Sequence, residues 1–175
     1  MKDRIELAKY FNTLGFKLGA EIGVFQGSFS RALCRYNPGL KLYAIDAWWL
    51  LGPQSKAKRQ EWVYNRALLK LKDYNVVIIK DASLEVAKVL KDGILDFVYI
   101  DADHSYKAVV DDIEAWNVKV RSGGIVAGHD YQSPDVEKAV HEYVDKYGLK
   151  LETTEYDKFN KRSKLIEQSW WFVKP

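Results

Sequence analysis

Two short polar clusters, each directly after an apolar run, carry the residue types that do chemistry in this chain. Residues 95–106 read Leu-Asp-Phe-Val-Tyr-Ile-Asp-Ala-Asp-His-Ser-Tyr. The run from Phe97 to Ile100 has the length and the β-branched and aromatic content of a buried strand, and it ends in Asp101, Asp103 and His104. The pattern recurs where Gly124-Ile-Val-Ala-Gly128 leads into His129, Asp130 and Tyr131. In open α/β sheets, ligands bind beyond the carboxyl ends of the parallel strands. If the two strands are neighbours, Asp101, His129 and Asp130 converge on one point with the geometry of a small metal site.

A sheet must hold these clusters, and the chain offers strands and helices in alternation. Residues 3–14 space Ile5, Leu7, Ala8, Phe11 and Leu14 as a short amphipathic helix that ends at Gly15, placed either to cap a ligand site or to cover the sheet. Residues 17–23 read as the first strand, followed by the turn Gly23-Val-Phe-Gln-Gly27 and a helix over 28–36 that Asn37-Pro38-Gly39 stops. Residues 41–46 form a second strand ending in Asp46. The stretch 47–55, with Trp48 and Trp49, is a loop whose large apolar side chains cover something. A helix follows over 56–72, with Trp62, Arg66 and Leu69 along one face, then a strand over 75–80. Ser83 is placed to cap a helix whose Val86, Ala87 and Leu90 point inward and which Gly93 ends. After the central strand, Tyr106, Val109, Val110, Ile113, Trp116 and Val120 recur at helical intervals, with Ser122-Gly-Gly124 as the stop. A strand at 124–128, a helix at 135–147 and two tail strands around a charged turn at 157–164 complete the order. The class is α/β: a mainly parallel sheet covered on both faces, with residues 169–173 entering antiparallel.

The chain has 175 residues and a formal net charge of +3. That length fits one domain over residues 1–175, and a charge this small does not point to nucleic acid. The start of the chain lacks the apolar core of a secretory signal, and no apolar run reaches the roughly 20 residues needed to span a bilayer, so a cytoplasmic protein is expected. A single cysteine, Cys34, leaves no intrachain disulfide and reads as an inert thiol on a helix face.

The first strand and its turn, Glu21-Ile-Gly-Val-Phe-Gln-Gly-Ser28, hold glycines at 23 and 27 but lack the G-x-G-x-x-G that seats a pyrophosphate. Asp46, about twenty residues on, stands where a carboxylate accepts both hydroxyls of a ribose. Glycine backbone, a ribose acceptor and no phosphate-binding lysine suggest a nucleoside without phosphates, which S-adenosylmethionine satisfies.

These motifs, with Tyr43-Ala-Ile-Asp46, the Asp101-Ala-Asp-His-Ser-Tyr106 segment and Gly128-His-Asp-Tyr131, resemble those of class I S-adenosylmethionine-dependent methyltransferases. They are most similar to the bacterial group of macrocin and related sugar O-methyltransferases, and more distantly to the catechol O-methyltransferases. The resemblance covers residues from about Ala20 to Tyr131 and implies a Rossmann-like seven-stranded sheet with an antiparallel last strand. It also implies roles. Glu21, Gly23, Gly27, Ser28 and Ser30 would hold the methionine part, Asp46 the ribose, Ala47 or Trp48 the adenine face, and Ala82 and Ser83 the adenine edge. Asp101 would serve cofactor and metal, with His129 and Asp130 as the other ligands and His104 as general base. The family often has glycine where Asp81 stands here.

Methyl transfer to oxygen needs an aligned sulfonium methyl and an acceptor losing its proton; a metal lowers the pKa of that hydroxyl while a base removes the proton. Because histidine suits softer ions, either manganese, iron and zinc stand beside magnesium as candidates, or His129 is not a ligand and only Asp101 and Asp130 are. Other roles stay open: Asp101 holding only the cofactor ammonium, Asp130 capping the next helix with Ser133, Asp103 as an alternative ligand or an N-cap, and His104 as a helix-start residue. Lys56, Lys58 and Arg59 read as a solvated helix face, Trp170 and Trp171 as sheet core and rim, and His141 as a surface residue. The expected function is O-methylation of a small hydroxylated acceptor such as a sugar or phenol. RNA or protein methylation and a non-catalytic S-adenosylmethionine-binding module are the alternatives. No membrane partner is expected, nucleic acid is disfavoured, and a homo-oligomer in which a second subunit roofs the acceptor is allowed.

Overall fold

The structure is a computed structural model and describes residues 1–48, 57–155 and 168–175. The loop expected over 47–55 is therefore described only at Ala47 and Trp48; Trp49, Lys56 and the charged turn at 157–164 lie outside the described residues.

Seven strands form one sheet: β1 (Leu18–Ile22), β2 (Lys41–Ile45), β3 (Val76–Ile79), β4 (Leu95–Ile100), β5 (Val120–Gly128), β6 (Glu152–Thr153) and β7 (Trp170–Val173). Their order is β3-β2-β1-β4-β5-β7-β6. β1 to β5 run parallel, and β7 is antiparallel to both β5 and β6. The winding direction reverses between β1 and β4, and at such a switch point the connections leave to opposite sides and open a crevice above the strand ends. The α/β class, the seven strands and the antiparallel end are as the sequence predicts.

Among the described residues six helices surround the sheet: α1 (Arg4–Thr13), α2 (Ser28–Tyr36), α3 (Ala57–Leu71), α4 (Ser83–Val89), α5 (Tyr106–Asn117) and α6 (Pro134–Tyr147). The central strand shows why both faces need cover. Its side chains alternate, so Phe97 and Tyr99 pack into the cluster of Leu7, Phe11, Phe29 and Leu33 from α1 and α2, while Val98 and Ile100 join Val109, Ile113 and Trp116 of α5 and Val140 of α6. Phe11 stacks on Phe97 with ring centres 4.4 Å apart. Cys34 is buried on α2 and its thiol is pushed up to about 12 by burial, which leaves it unreactive at neutral pH. Trp170 and Trp171 are both buried, and His141 is exposed with its Nε2 2.6 Å from the Tyr131 hydroxyl.

Two local expectations are corrected, for residues 122–124 and for Ser83. Residues 122–124 do not end a helix: α5 stops at Asn117, and Ser122, Gly123 and Gly124 belong to β5, where the pairing with β4 shifts register between Leu95 and Phe97. The glycines serve that irregularity, Gly123 with φ 73° and Gly124 with its Cα where a side chain would strike the Asp96 carbonyl. On α3 the Trp62 and Leu69 face is exposed, and Val63, Ala67 and Leu71 form the buried one. On the exposed face Arg66 lies over the Trp62 ring. Ser83 makes no capping bond; it begins α4 after Ala82, with its hydroxyl committed to Asp112.

Close packing at the tip of β5 makes one residue critical. A Cβ on Gly128 would sit 2.4 Å from Trp170 and 2.7 Å from the Ile100 carbonyl, so Gly128→Ala should cost about 1–3 kcal/mol in urea unfolding.

Candidate active site

Four residues that follow parallel strands are fixed by one repeated bond. Asp46 N–H donates to the Ile79 carbonyl at 3.1 Å, Gly23 N–H to Ile45 at 2.9 Å, Asp101 N–H to Ile22 at 2.7 Å and His129 N–H to Ile100 at 3.0 Å. Each is the first residue beyond its strand and borrows the last carbonyl of the neighbour. The two polar clusters seen in the sequence are thereby set side by side on β4 and β5. Gly23 is pressed against Asp101 so tightly that a Cβ would lie 1.9 Å from the Asp101 carbonyl oxygen, and its φ of 89° also favours glycine.

Above these tips lies a cavity of about 770 Å³ bordered by Gly23, Asp46, Ala47, Trp48, Ala82, Ser83 and Asp101, among others. Asp46 accepts from Phe25 N–H at 2.8 Å through Oδ2 and from Trp48 N–H at 2.6 Å through Oδ1. Burial raises its pKa, against which those two bonds act. A carboxylate has about four acceptor positions, so Asp46 keeps capacity for a ligand hydroxyl. Trp48 takes a left-handed φ of 39° and is pinned by its Nε1–H, which donates to the Phe25 carbonyl at 2.9 Å. The other residues assigned to the donor stand beneath or beside this cavity rather than on its wall. Gly27 faces Leu71 of α3, and Ser28 Oγ accepts from Lys70 Nζ at 2.7 Å. Ser30 donates to Glu21, which is only 1 % exposed and whose carboxyl burial pushes up to about 8.

The second half of the site is a knot of two carboxylates and two imidazoles. His104 Nε2 lies 3.1 Å from Asp130 Oδ2 and 3.6 Å from Asp101 Oδ1. His129 Nδ1 lies 3.2 Å from Asp130 Oδ2 and 3.7 Å from Asp101 Oδ1. One ligand-type atom from each of Asp101, His104 and Asp130 falls within 4.8 Å of the others. That set has His104 where the sequence reading placed His129, whose Nδ1 faces the same two carboxylates. The donor types fit a divalent ion, two anionic oxygens with imidazole nitrogen at hand. The hydrogen bond from His129 holds the Asp130 carboxyl down at about 2. The bond to Asp101 raises the pKa of His104, with Asp130 adding to it.

Asp130 itself has φ 52°, a left-handed conformation that turns its side chain back to the histidines and to Gln132, whose Nε2 donates at 2.8 Å. It does not cap α6 with its side chain; only its carbonyl accepts from Ser133 N–H. Asp103 is not the N-cap of α5, which is Ser105; it closes a turn just before the helix, accepting from Ser105 N–H at 2.8 Å.

Three contributors escape the sequence reading. Arg4 of α1 reaches Asp101 at 3.6 Å and lies over the Phe29 ring, although nothing in its spacing marks it as more than a helix-start cation. Phe25, at φ 50°, orients Asp46 through its backbone. Asp112 on α5 borders the cavity while sharing the helical pattern of its buried neighbours.

An uncharacterized protein of Acanthamoeba polyphaga mimivirus is 30% identical to this chain over 129 residues, 71% of this chain and 58% of that protein. The chain thus spans little more than half of that relative's length. Among solved structures, a precorrin-6y C5,15-methyltransferase from Geobacter metallireducens GS-15 superposes with a TM-score of 0.68 at 18% identity, covering 97% of this chain and 88% of that one. An O-methyltransferase from Bacillus cereus in complex with SAH gives 0.68 at 16% identity, over 98% and 80%. These two likenesses establish the fold. The family itself follows from the stretch that carries both strand-tip clusters: residues 20–131 match the family described as "Methyltransferase domain", and the chain belongs to it.

Proposed function

We propose that the protein transfers a methyl group from S-adenosylmethionine to a hydroxyl of a small acceptor, such as a sugar or a phenol. The observation that carries this reading is that Asp101 belongs both to the border of the cavity, with Asp46 and Gly23, and to the knot it forms with His104, His129 and Asp130. One side suits a nucleoside and the other suits an oxygen that must lose a proton. Membership of the methyltransferase-domain family supports the donor.

In this reading Asp46 holds the ribose hydroxyls, Trp48 and Ala47 meet the adenine face, and Gly23 admits the thioether end. Glu21 and Ser30, beneath the turn, shape it without touching the ligand. Asp101, His129 and Asp130 are the residues that would hold a divalent ion, which when bound acidifies the acceptor hydroxyl. His104 is the more exposed imidazole, its side chain 45% accessible against 6% for His129, and it takes the hydroxyl proton. The new bond runs from acceptor oxygen to methyl carbon, the sulfur–carbon bond breaks, and the sulfonium leaves as a neutral thioether. The geometry favours one variant: His104 Nε2 stands close enough to Asp101 and Asp130 to be an ion ligand itself.

Calorimetry tests the donor. S-adenosylhomocysteine should bind, and Asp46→Ala should weaken it by roughly 10–100-fold, the loss of hydrogen bonds to a charged acceptor; no binding by the wild type would refute the class. Chelation tests the ion: activity on a panel of hydroxylated acceptors should vanish in chelator and return with manganese, zinc or magnesium, and full activity in chelator would remove the metal from the reading. The pH profile tests His104. Its carboxylate neighbours favour the imidazolium, so the base form appears only as pH rises through a value above that of an ordinary imidazole. The rate should climb over that range, and His104→Gln should lose the limb and about 10²–10⁴-fold in rate while retaining ion binding. Loss of ion binding in that variant would make His104 a ligand.

A further inference from the structure

Ser83 and Asp112 border the cavity, and with the fully buried Trp116 behind them they form a relay with a fixed direction. The indole of Trp116 can only donate, and its Nε1–H goes to Ser83 Oγ at 2.8 Å. The serine has one hydrogen, and it goes to Asp112 Oδ1. Ser83 therefore presents no donor to the cavity. What this corner of the wall offers is an acceptor, because Asp112 borders the cavity, is 5 % exposed, and among the described residues bonds Ser83 through Oδ1 alone, which leaves Oδ2 open.

No ion pair to Asp112 occurs among the described residues, and the charges that act on it, Asp111 and Asp103, are of its own sign. Burial lifts its carboxyl to about 6, so near neutral pH a largely ionised oxygen with an open lone pair stands on the wall. Such a group is costly unless a donor meets it. The loop acid two residues before Ser83 does not compete for that donor: Asp81 is exposed, accepts from Ala82 N–H at 2.7 Å and is not among the residues bordering the cavity.

We propose that Asp112 selects the purine of the methyl donor, its Oδ2 accepting a hydrogen bond from the exocyclic 6-amino group of adenine; this rests on the donor reading above. The base edge that reaches Ser83 also reaches the carboxylate bonded to it. A 6-amino purine brings an N–H to Oδ2, whereas a 6-oxo purine brings a second acceptor against a buried carboxylate. Sites built around a hydrogen bond reject the analogue that lacks it far more strongly than apolar pockets reject a change of size.

The test compares S-adenosylhomocysteine with S-inosylhomocysteine by calorimetry on the whole chain. Wild type should bind the adenosyl form roughly 50-fold or more tightly over the inosyl form. Asp112→Asn keeps the shape and can turn an amide N–H toward a carbonyl, so it should bring the two affinities within about 3-fold of each other. Ser83→Ala leaves Oδ2 in place and should keep the preference. Equal binding of both ligands by wild type overturns the role of Asp112, and needs no variant to fold. The same preference in wild type and Asp112→Asn overturns it as well, as does a preference lost in Ser83→Ala but kept in Asp112→Asn. If wild type binds neither ligand, the donor reading fails instead.

Discussion

The site depends on where the parallel strands stop. Each tip residue, Asp46, Gly23, Asp101 and His129, spends its N–H on the last carbonyl of the strand beside it. Backbone bonds of this kind leave little freedom, because an unpaired buried N–H or carbonyl costs free energy comparable to a lost hydrogen bond. The four side chains are thus launched from a common edge at a spacing set by the sheet, about 4.8 Å per strand. Loops then finish what the sheet begins: Phe25 and Trp48 bend into left-handed backbone to aim Asp46, and Asp130 does the same to face two histidines.

Electrostatics explains why these loops hold their strain. Among the described residues, the cavity wall carries Asp46, Glu85, Asp101, Asp103, Asp111 and Asp112 against one cation, Arg59. Like charges in a partly dry space repel, and the fold meets this with imidazoles and with Arg4 rather than by moving the acids apart. A donor that carries a sulfonium and an ammonium suits such a lining, and this agrees with the proposed reaction. Glu21 relieves the repulsion differently: buried beneath the site, it stays protonated well into neutral pH and adds no charge there.

How much of this was legible in the residues depends on the range of the interaction. The strand–helix alternation, the antiparallel end and the two polar clusters are local patterns, and the structure follows them. The seating of Asp101 beside His129 and Asp130 needed only the guess that the two strands are neighbours, which β4 and β5 are. The failures share a cause. Ser83 read as a cap because its sequence neighbours suit one, but a tertiary partner on α5 took its hydroxyl. Arg4 was invisible, since its partner lies almost a hundred residues away. A glycine pair at 123 and 124 looked like a stop because a bulge and a helix end call for the same residue.

Gly23 leaves no gap between the turn after β1 and the backbone of Asp101. Two subsites usually treated as separate modules are here in van der Waals contact through main chain alone, and no rotamer can act as a spacer between them. The reach from donor to acceptor is consequently a property of the sheet, as a gauge block is of its steel. New acceptors can be accommodated only by rebuilding the outer walls, while the inner separation passes unchanged from one specificity to the next.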